Sequence, residues 1–344
     1  MPLAPTLFGV VCPLGFRAIM RRDNWPGLVL SLLAATMALL VARVAPAVSP
    51  LLVAIVLGIL ATNIRPLPDR LSPGLAVASK RLLRMGIVLL GLQLVLADIA
   101  ALGVRMVVAV ALIVAFGFAG TLMAGRALGV PPMQRLLVVA GFSICGAVAV
   151  AAVDAVVEAD EDDVASAIAL VVLFGTAMIA LGPALTGLLD LSTRRQGLVI
   201  GGAVHEVAQV VAAGGIIGHA ALAAAVTVKL ARVAMLAPMI MVIGARRRHR
   251  LAAAATTSNP PLVPLFVAGF LAAAVVRTAV PLDDGVISAA RMLQTVLLAA
   301  AMFALGTGVK ASVLRKLGGR PLALGALSTA WIFVLAMGAV AITT

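Results

Sequence analysis

Apolar residues fall along this chain in blocks of about twenty, the length a helix needs to cross a hydrocarbon core about 30 Å thick. Short clusters of glycine, proline and charge separate the blocks. Counting from one cluster to the next predicts eleven spans. They are expected at 25–44, 48–64, 82–102, 104–125, 131–157, 163–187, 196–217, 220–244, 261–280, 287–309 and 321–342. No stretch alternates polar and apolar residues as an outer-membrane strand does, so the pattern predicts helices and no barrel. The fold class is an all-α polytopic membrane protein.

Composition agrees. Of 344 residues 63% are hydrophobic and 11% charged, where soluble domains carry about 45–50% and about 25%. The net charge of +13 would suggest a nucleic-acid partner in a soluble chain. Here the basic residues sit in short loops and act as topology signals, so no nucleic acid is expected. With a cytoplasmic tail at 1–24, the inside segments hold Arg17, Arg21 and Arg22, Arg65 to Arg84, Arg126 and Arg135, Arg194 and Arg195, Arg246 to Arg250, and Lys310 to Arg320. Arg43, Arg105, Arg277 and Arg291 fall outside, with the acidic runs Glu158 to Asp163 and Asp283–Asp284. The expected chain is N-inside and C-outside. Cys12 and Cys145 imply no disulfide framework. The charges after Leu7–Phe16 do not match a standard signal peptide.

Two segments resemble each other. With Gln134 set on Gln294, Leu137 falls on Leu297 and Gly146 on Gly306 without a gap. Arg81-Leu-Leu-Arg84 echoes Lys229-Leu-Ala-Arg232 more weakly. The match pairs a five-helix repeat at 48–188 with an inverted one at 192–344, leaving 25–44 as an extra helix, an architecture common in secondary transporters. It predicts breaks at Ser143 to Ala147 and at Ala304 to Gly308 that cross near the midplane. Glycine also serves helix contacts, so either interruption has a packing explanation. A break frees a half-helix N-terminus, which attracts an anion, and neither expected break contains an acidic residue.

The stretch VHEVAQVVAAG from Val204 sets His205, Glu206 and Gln209 on one face of the expected helix. The zinc-protease pattern needs a second histidine where Gln209 stands, so no metal site is expected. Ionisable groups inside a membrane are functional candidates by default. Lys229 and Arg232, sharing a face of the next span, are their counter-charges; one or both contact the substrate, with Glu206 as partner in the empty state. Asp154 either carries a proton or faces the outer vestibule. Cys145 is a small packing residue at the break. Gln93 is expected to bond another helix, and Lys80, Arg81 and Arg84 to anchor theirs at the cytoplasmic surface.

These motifs resemble those of the YeiH-like family of uncharacterised membrane proteins designated sulfate exporters. The matching pieces are KRLLRMGIVLLGLQLVLADI from Lys80, GFSICGAVAVAAVDAVVEA from Gly141, VVLFGTAMIALGP from Val171, VHEVAQVVAAG from Val204, VKLARVAMLAP from Val228 and ALGTGV from Ala304. The likeness runs from about Trp25 to the C-terminus, departing at Phe142 and at Asp154-Ala155, where the family more often has Ala or Ser and a Glu-Pro pair. It implies an anion transporter of the bacterial inner membrane, with the inverted five-helix repeats of bile-acid and sodium-proton transporters. Spans 4–6 and 9–11 would then form a moving core and spans 2, 3, 7 and 8 a panel. Panels of this kind often dimerise, so a homodimer stays open.

The expectation is a secondary transporter of a small inorganic or sulfonated anion (sulfate, sulfite or an organosulfonate), coupled to protons or sodium. Ser143, Cys145, Gly146, His205, Gln209, Lys229, Arg232, Gly306 and Thr307 would bind the substrate, and Glu206, His205 and Asp154 would couple the ion. No nucleotide-binding loop appears, so a gradient supplies the energy; no cofactor and no enzymatic activity are expected. The alternatives are a cation/proton antiporter using Glu206 and Asp154, and an intramembrane enzyme using His205 and Glu206.

Overall fold

A computed structural model describes residues 21–44, 50–253, 264–308 and 318–344. Cys12, Arg17, Lys310, Arg315 and Lys316 lie outside the described residues. The described elements are helical throughout. The first are α1 (Trp25–Val44), α2 (Pro50–Ile64), α3 (Ser72–Val77) and α4 (Leu83–Leu90), the last two joined by a π-helical turn, Ala78–Leu82. Next come α5 (Leu96–Ala101), α6 (Val104–Ala127), α7 (Pro132–Ser143), α8 (Ala147–Val157) and α9 (Glu161–Leu188). Then follow α10 (Thr193–Ala203), α11 (Val207–Ile217), α12 (His219–Ala234) and α13 (Leu236–Ala253). The last are α14 (Leu265–Ala279), α15 (Asp284–Thr307) and α16 (Gly319–Thr343). Among the described residues, six helical stretches are long and apolar enough to cross a membrane: Arg22–Val44, Val104–Ala127, Glu161–Leu188, His219–Arg248, Asp284–Thr307 and Gly319–Thr343.

The chain divides into two compact units. One joins Met1–Val95 with Gly244–Ala311, the other Leu96–Ile243 with Ser312–Thr344. By span, the first unit groups 1–3, 9 and 10, and the second groups 4–8 and 11, which differs from the expected core and panel.

In the first unit α15 packs along α1, α2 and α4. The approach to α2 is backbone to backbone, since a Cβ on Gly306 would strike the Ile55 carbonyl and one on Gly58 the Phe303 carbonyl. Only the near side of the second expected break falls within the described residues. Helix α15 runs unbroken from Asp284 through Gly306 to Thr307 and ends inside the Ala304 to Gly308 stretch, while 309–317 lie outside the described residues. Gly306 is there because α2 comes too close for a side chain, and Thr307 turns its hydroxyl back to the Ala304 carbonyl at 2.7 Å.

The second unit holds two helical hairpins. The first break stands where the sequence puts it: Ile144 leaves the helix at φ −120°, and Gly146 takes φ +78°, ψ −137°, a backbone region essentially reserved for glycine. The chain then turns back, and a Cβ on Gly141 would touch Val150. In a straight helix those residues stand about 13 Å apart, so α8 folds against α7. Helices α10 and α11 do the same. Gly201 and Gly214 both abut Ala225 of α12, yet a continuous helix would separate them by about 20 Å. The expected span 196–217 is accordingly corrected to a hairpin whose tip is Val204, His205 and Glu206, with Val204 and Glu206 extended.

The hairpins enter from opposite ends. Met106 at the start of α6 meets Thr343 at the end of α16, and Arg195 at the start of α10 donates to the Thr344 carbonyl, so α10 enters from that end. Arg135 of α7 packs on Gly125 at the other end of α6. A cavity of about 280 Å³ lined by Arg105, Arg194, Leu198 and Thr344 joins the α6 and α10 starts. Arg105 and Arg194, expected on opposite sides of the membrane, thus line one cavity, because the one hairpin between them, α7 with α8, turns back.

Candidate functional site at the hairpin tips

Each hairpin ends its first arm in free carbonyls and begins its second with free amides. Two side chains of α12 reach the carbonyls. Lys229 Nζ donates to Ile144 O at 2.7 Å, to Val204 O at 2.9 Å and to His205 O. Three acceptors on one nitrogen suit the ammonium, which has three N–H and no lone pair. Arg232 donates from Nη1 to Gly202 O at 2.7 Å and Val204 O at 3.0 Å, and from Nη2 to Phe142 O at 2.9 Å. Both cations are 0% exposed. They stitch the ends of α7 and α10 together and offset the negative ends of those helix dipoles.

Glu206 serves the amides. Its Oε1 accepts from Ala147 N at 3.2 Å, in the first turn of α8. The same carboxylate accepts from Gln209 N, while Gln209 Oε1 accepts from Glu206 N at 3.1 Å, a reciprocal cap on α11. One carboxylate thus caps both second arms. This corrects two expectations. A break does contain an acidic residue, and Glu206 pairs with amides; among the described residues it forms no ion pair with Lys229 or Arg232.

His205 Nε2 lies 3.1 Å from Thr329 Oγ1. That hydroxyl donates to Gly325 O, so the ring donates to the hydroxyl and Nδ1 is its open nitrogen. The ring also packs against Phe142 at 4.5 Å between centroids. Gln209 lies against Gly175 of α9, where any side chain would collide with its amide. Ser143 Oγ, His205 Nδ1, Gln209 Nε2 and Arg232 Nε are buried without a hydrogen-bond partner. Cys145 is buried at the first tip with a free thiol. Gly146 faces Glu206, whose side chain would strike a Cβ there.

The remaining candidates lie elsewhere. Asp154 sits near the end of α8, away from the tip, and accepts from Ala159 N at 3.0 Å. Gly306 and Thr307 belong to the first unit. Sequence reasoning missed the tip itself, although Glu206-x-x-Gln209 has the form of a reciprocal cap and marks a helix start at Val207.

A chain with this many long apolar helices, whose buried charged residues among the described ones are Glu206, Lys229 and Arg232, is a polytopic membrane protein. It belongs to the family described as Conserved hypothetical protein 698, which it matches over residues 26–325. It is similar to a UPF0324 membrane protein of Corynebacterium glutamicum, 49% identical over 92% of each chain. A UPF0324 membrane protein of Pseudomonas aeruginosa is 42% identical over 89% of this chain and 91% of its own. The UPF0324 inner membrane protein YeiH of Salmonella typhimurium is 37% identical over 91% of this chain and 93% of its own. No solved structure matches the chain.

Proposed function

We propose that the protein is a secondary carrier of a small anion, held at the two hairpin tips. One observation carries this reading. The tips bury two cations, Lys229 and Arg232, against a single carboxylate, Glu206. The half-helix ends cancel in pairs, so one positive charge is left over in a place where an unbalanced charge is costly. A bound anion balances it. The unpartnered groups are of the matching kind: Gln209 Nε2 and Arg232 Nε can only donate, and Ser143 Oγ can.

The cations act through their field, because their terminal donors are already engaged with main chain. The substrate contacts fall to Gln209, Ser143 and the tip backbone at Cys145 and Gly146. His205 and Glu206 are the candidate proton carriers, through Nδ1 and the carboxylate. Every one of these residues belongs to the second unit, so alternating access moves the site with that unit as one body.

The hairpins also support an inverted repeat, in a different register from the one expected. Leu137-Val-Val-Ala-Gly141 matches Leu198-Val-Ile-Gly-Gly202 at an offset of 61 residues. Val171 packs on Gly141, and its equivalent Arg232 bonds Gly202. The second copy supplies Glu206, Lys229 and Arg232 where the first has Cys145, Ile168 and Val171.

With both hairpins re-entrant the chain crosses nine times, N-inside and C-outside, and the acidic run Glu158 to Asp163 becomes cytoplasmic. Single cysteines replacing Glu158 and Arg248 should label from the same side of the membrane, and one replacing Arg194 from the other. Labelling of Arg194→Cys together with Arg248→Cys, with Glu158→Cys from the other side, would restore the eleven-span chain. The carrier reading is tested in proteoliposomes. Labelled sulfate or ethanesulfonate should accumulate against unlabelled anion inside, whereas exchange of sodium for protons with neither anion moving would end it.

A further inference from the structure

We propose that the Glu206 carboxylate is an internal stand-in for the carried anion: ionised, it occupies the amide site formed by the two second arms, and when it takes a proton it gives that site up. The inference rests on the anion-carrier reading above and adds how the site is emptied and filled.

The geometry has three parts. First, one carboxylate accepts from an amide of each second arm, Ala147 N on α8 and Gln209 N on α11. Each arm has eleven residues, enough for a developed dipole. An anion of similar size could take both amides, but not while Glu206 holds them. Second, Gln209 is clamped beside the same amides by its bond to Glu206 N, and its Nε2 is buried with no partner. This donor points to a ligand with more acceptor oxygens than one carboxylate supplies. Third, the bare Gly146 leaves the space that the Glu206 stem occupies.

The surrounding groups set the charge. Lys229 and Arg232 approach from α12, Cys145 from the first tip, and His205 adjoins on the second. Helix α9 contributes no charge here, since its acids Glu161, Asp162 and Asp163 open its first turn, and α16 contributes Thr329 through His205. A proton from water adds to a carboxylate oxygen, forming O–H. The charge-assisted bonds from the two amides are lost, because a neutral acid is a weaker acceptor. The positive excess at the tips then rises from one to two. Anion binding and Glu206 protonation are thereby coupled in the same direction.

The test uses the purified full-length protein with sulfate and ethanesulfonate, which stay ionised through acidic and neutral pH. Affinity is read from ligand-induced stabilisation. The wild-type Kd for sulfate should rise about tenfold per pH unit once Glu206 is ionised, the slope of one linked proton. Glu206→Gln should bind at every pH with the affinity that the wild type shows in acid. A variant keeping the wild-type slope overturns the proposal, since the proton would then sit elsewhere, with His205 Nδ1 the open position. Should the variant not fold, the wild type decides: in weak buffer, sulfate should draw up one proton per anion bound, and no uptake overturns the proposal. Binding that ignores pH also overturns it while leaving the carrier reading intact. Absence of any anion binding, at any pH, removes the carrier reading itself.

Discussion

Lys229→Met should lower the melting temperature of the purified protein more than any replacement of a lipid-facing residue. The substitution keeps the stem and deletes three donors, leaving the carbonyls of Ile144 and His205 buried with nothing to accept and Val204 O with its bond from Arg232 alone. An orphaned buried acceptor costs about 1–3 kcal/mol. Removing the charge also relieves its own desolvation, so the net loss is about 3–5 kcal/mol, as when one member of a buried ionic arrangement is deleted. Trp331 reports on this unit, its indole donating to Phe116 O at 2.9 Å, and Trp25→Phe silences the other tryptophan. A Lys229→Met protein that melts with the wild type would show that the ammonium does not hold the tips together. The same geometry distinguishes folding from transport: uptake lost in a fully stable variant would return Lys229 to the role of direct ligand.

Gly146→Ala is expected to abolish anion uptake, and Gly103→Ala to leave it near normal. Both glycines have positive φ, +78° and +83°. An alanine in such a conformation costs about 1–3 kcal/mol. They differ in surroundings. Nothing stands within 4 Å of a Cβ at Gly103, whereas at Gly146 it runs into Cγ and Oε1 of Glu206. The methyl group therefore pushes Glu206 off Ala147 N and disturbs both arms at once. Uptake measured beside the melting temperature separates the shared backbone cost from the local one. Equal losses in the two variants would mean that the contact with Glu206 carries no function.

How much of this was legible follows from which signals are one-valued. Block length and composition settle a membrane helix, because hydrocarbon allows few other structures. Gly146 was readable as a break, since small residues there interrupt an otherwise apolar run. Gly306 was not, because the same letter serves two ends. At Gly146 it permits a backbone conformation; at Gly306 it permits the approach of α2, and no local pattern separates the uses. The second tip was hidden for another reason. His205, Glu206 and Gln209 also form a plausible helix face, and the reciprocal cap that ends it spans four residues inside an apolar run. That α8 and α11 fold back was invisible altogether. It is decided by contacts such as Gly141 with Val150, and in a membrane a hairpin and a span have the same composition.

Lys229 and Arg232 grip main-chain oxygens, and so they make no demand on the side chains at Phe142, Ile144, Gly202 or Val204 as bonding partners. Substitutions at those positions can drift with packing alone while both attachments persist. Among distant relatives, the two cations should therefore stay fixed without any covarying companion, and methods that look for paired changes would pass over the fastening that joins the two tips.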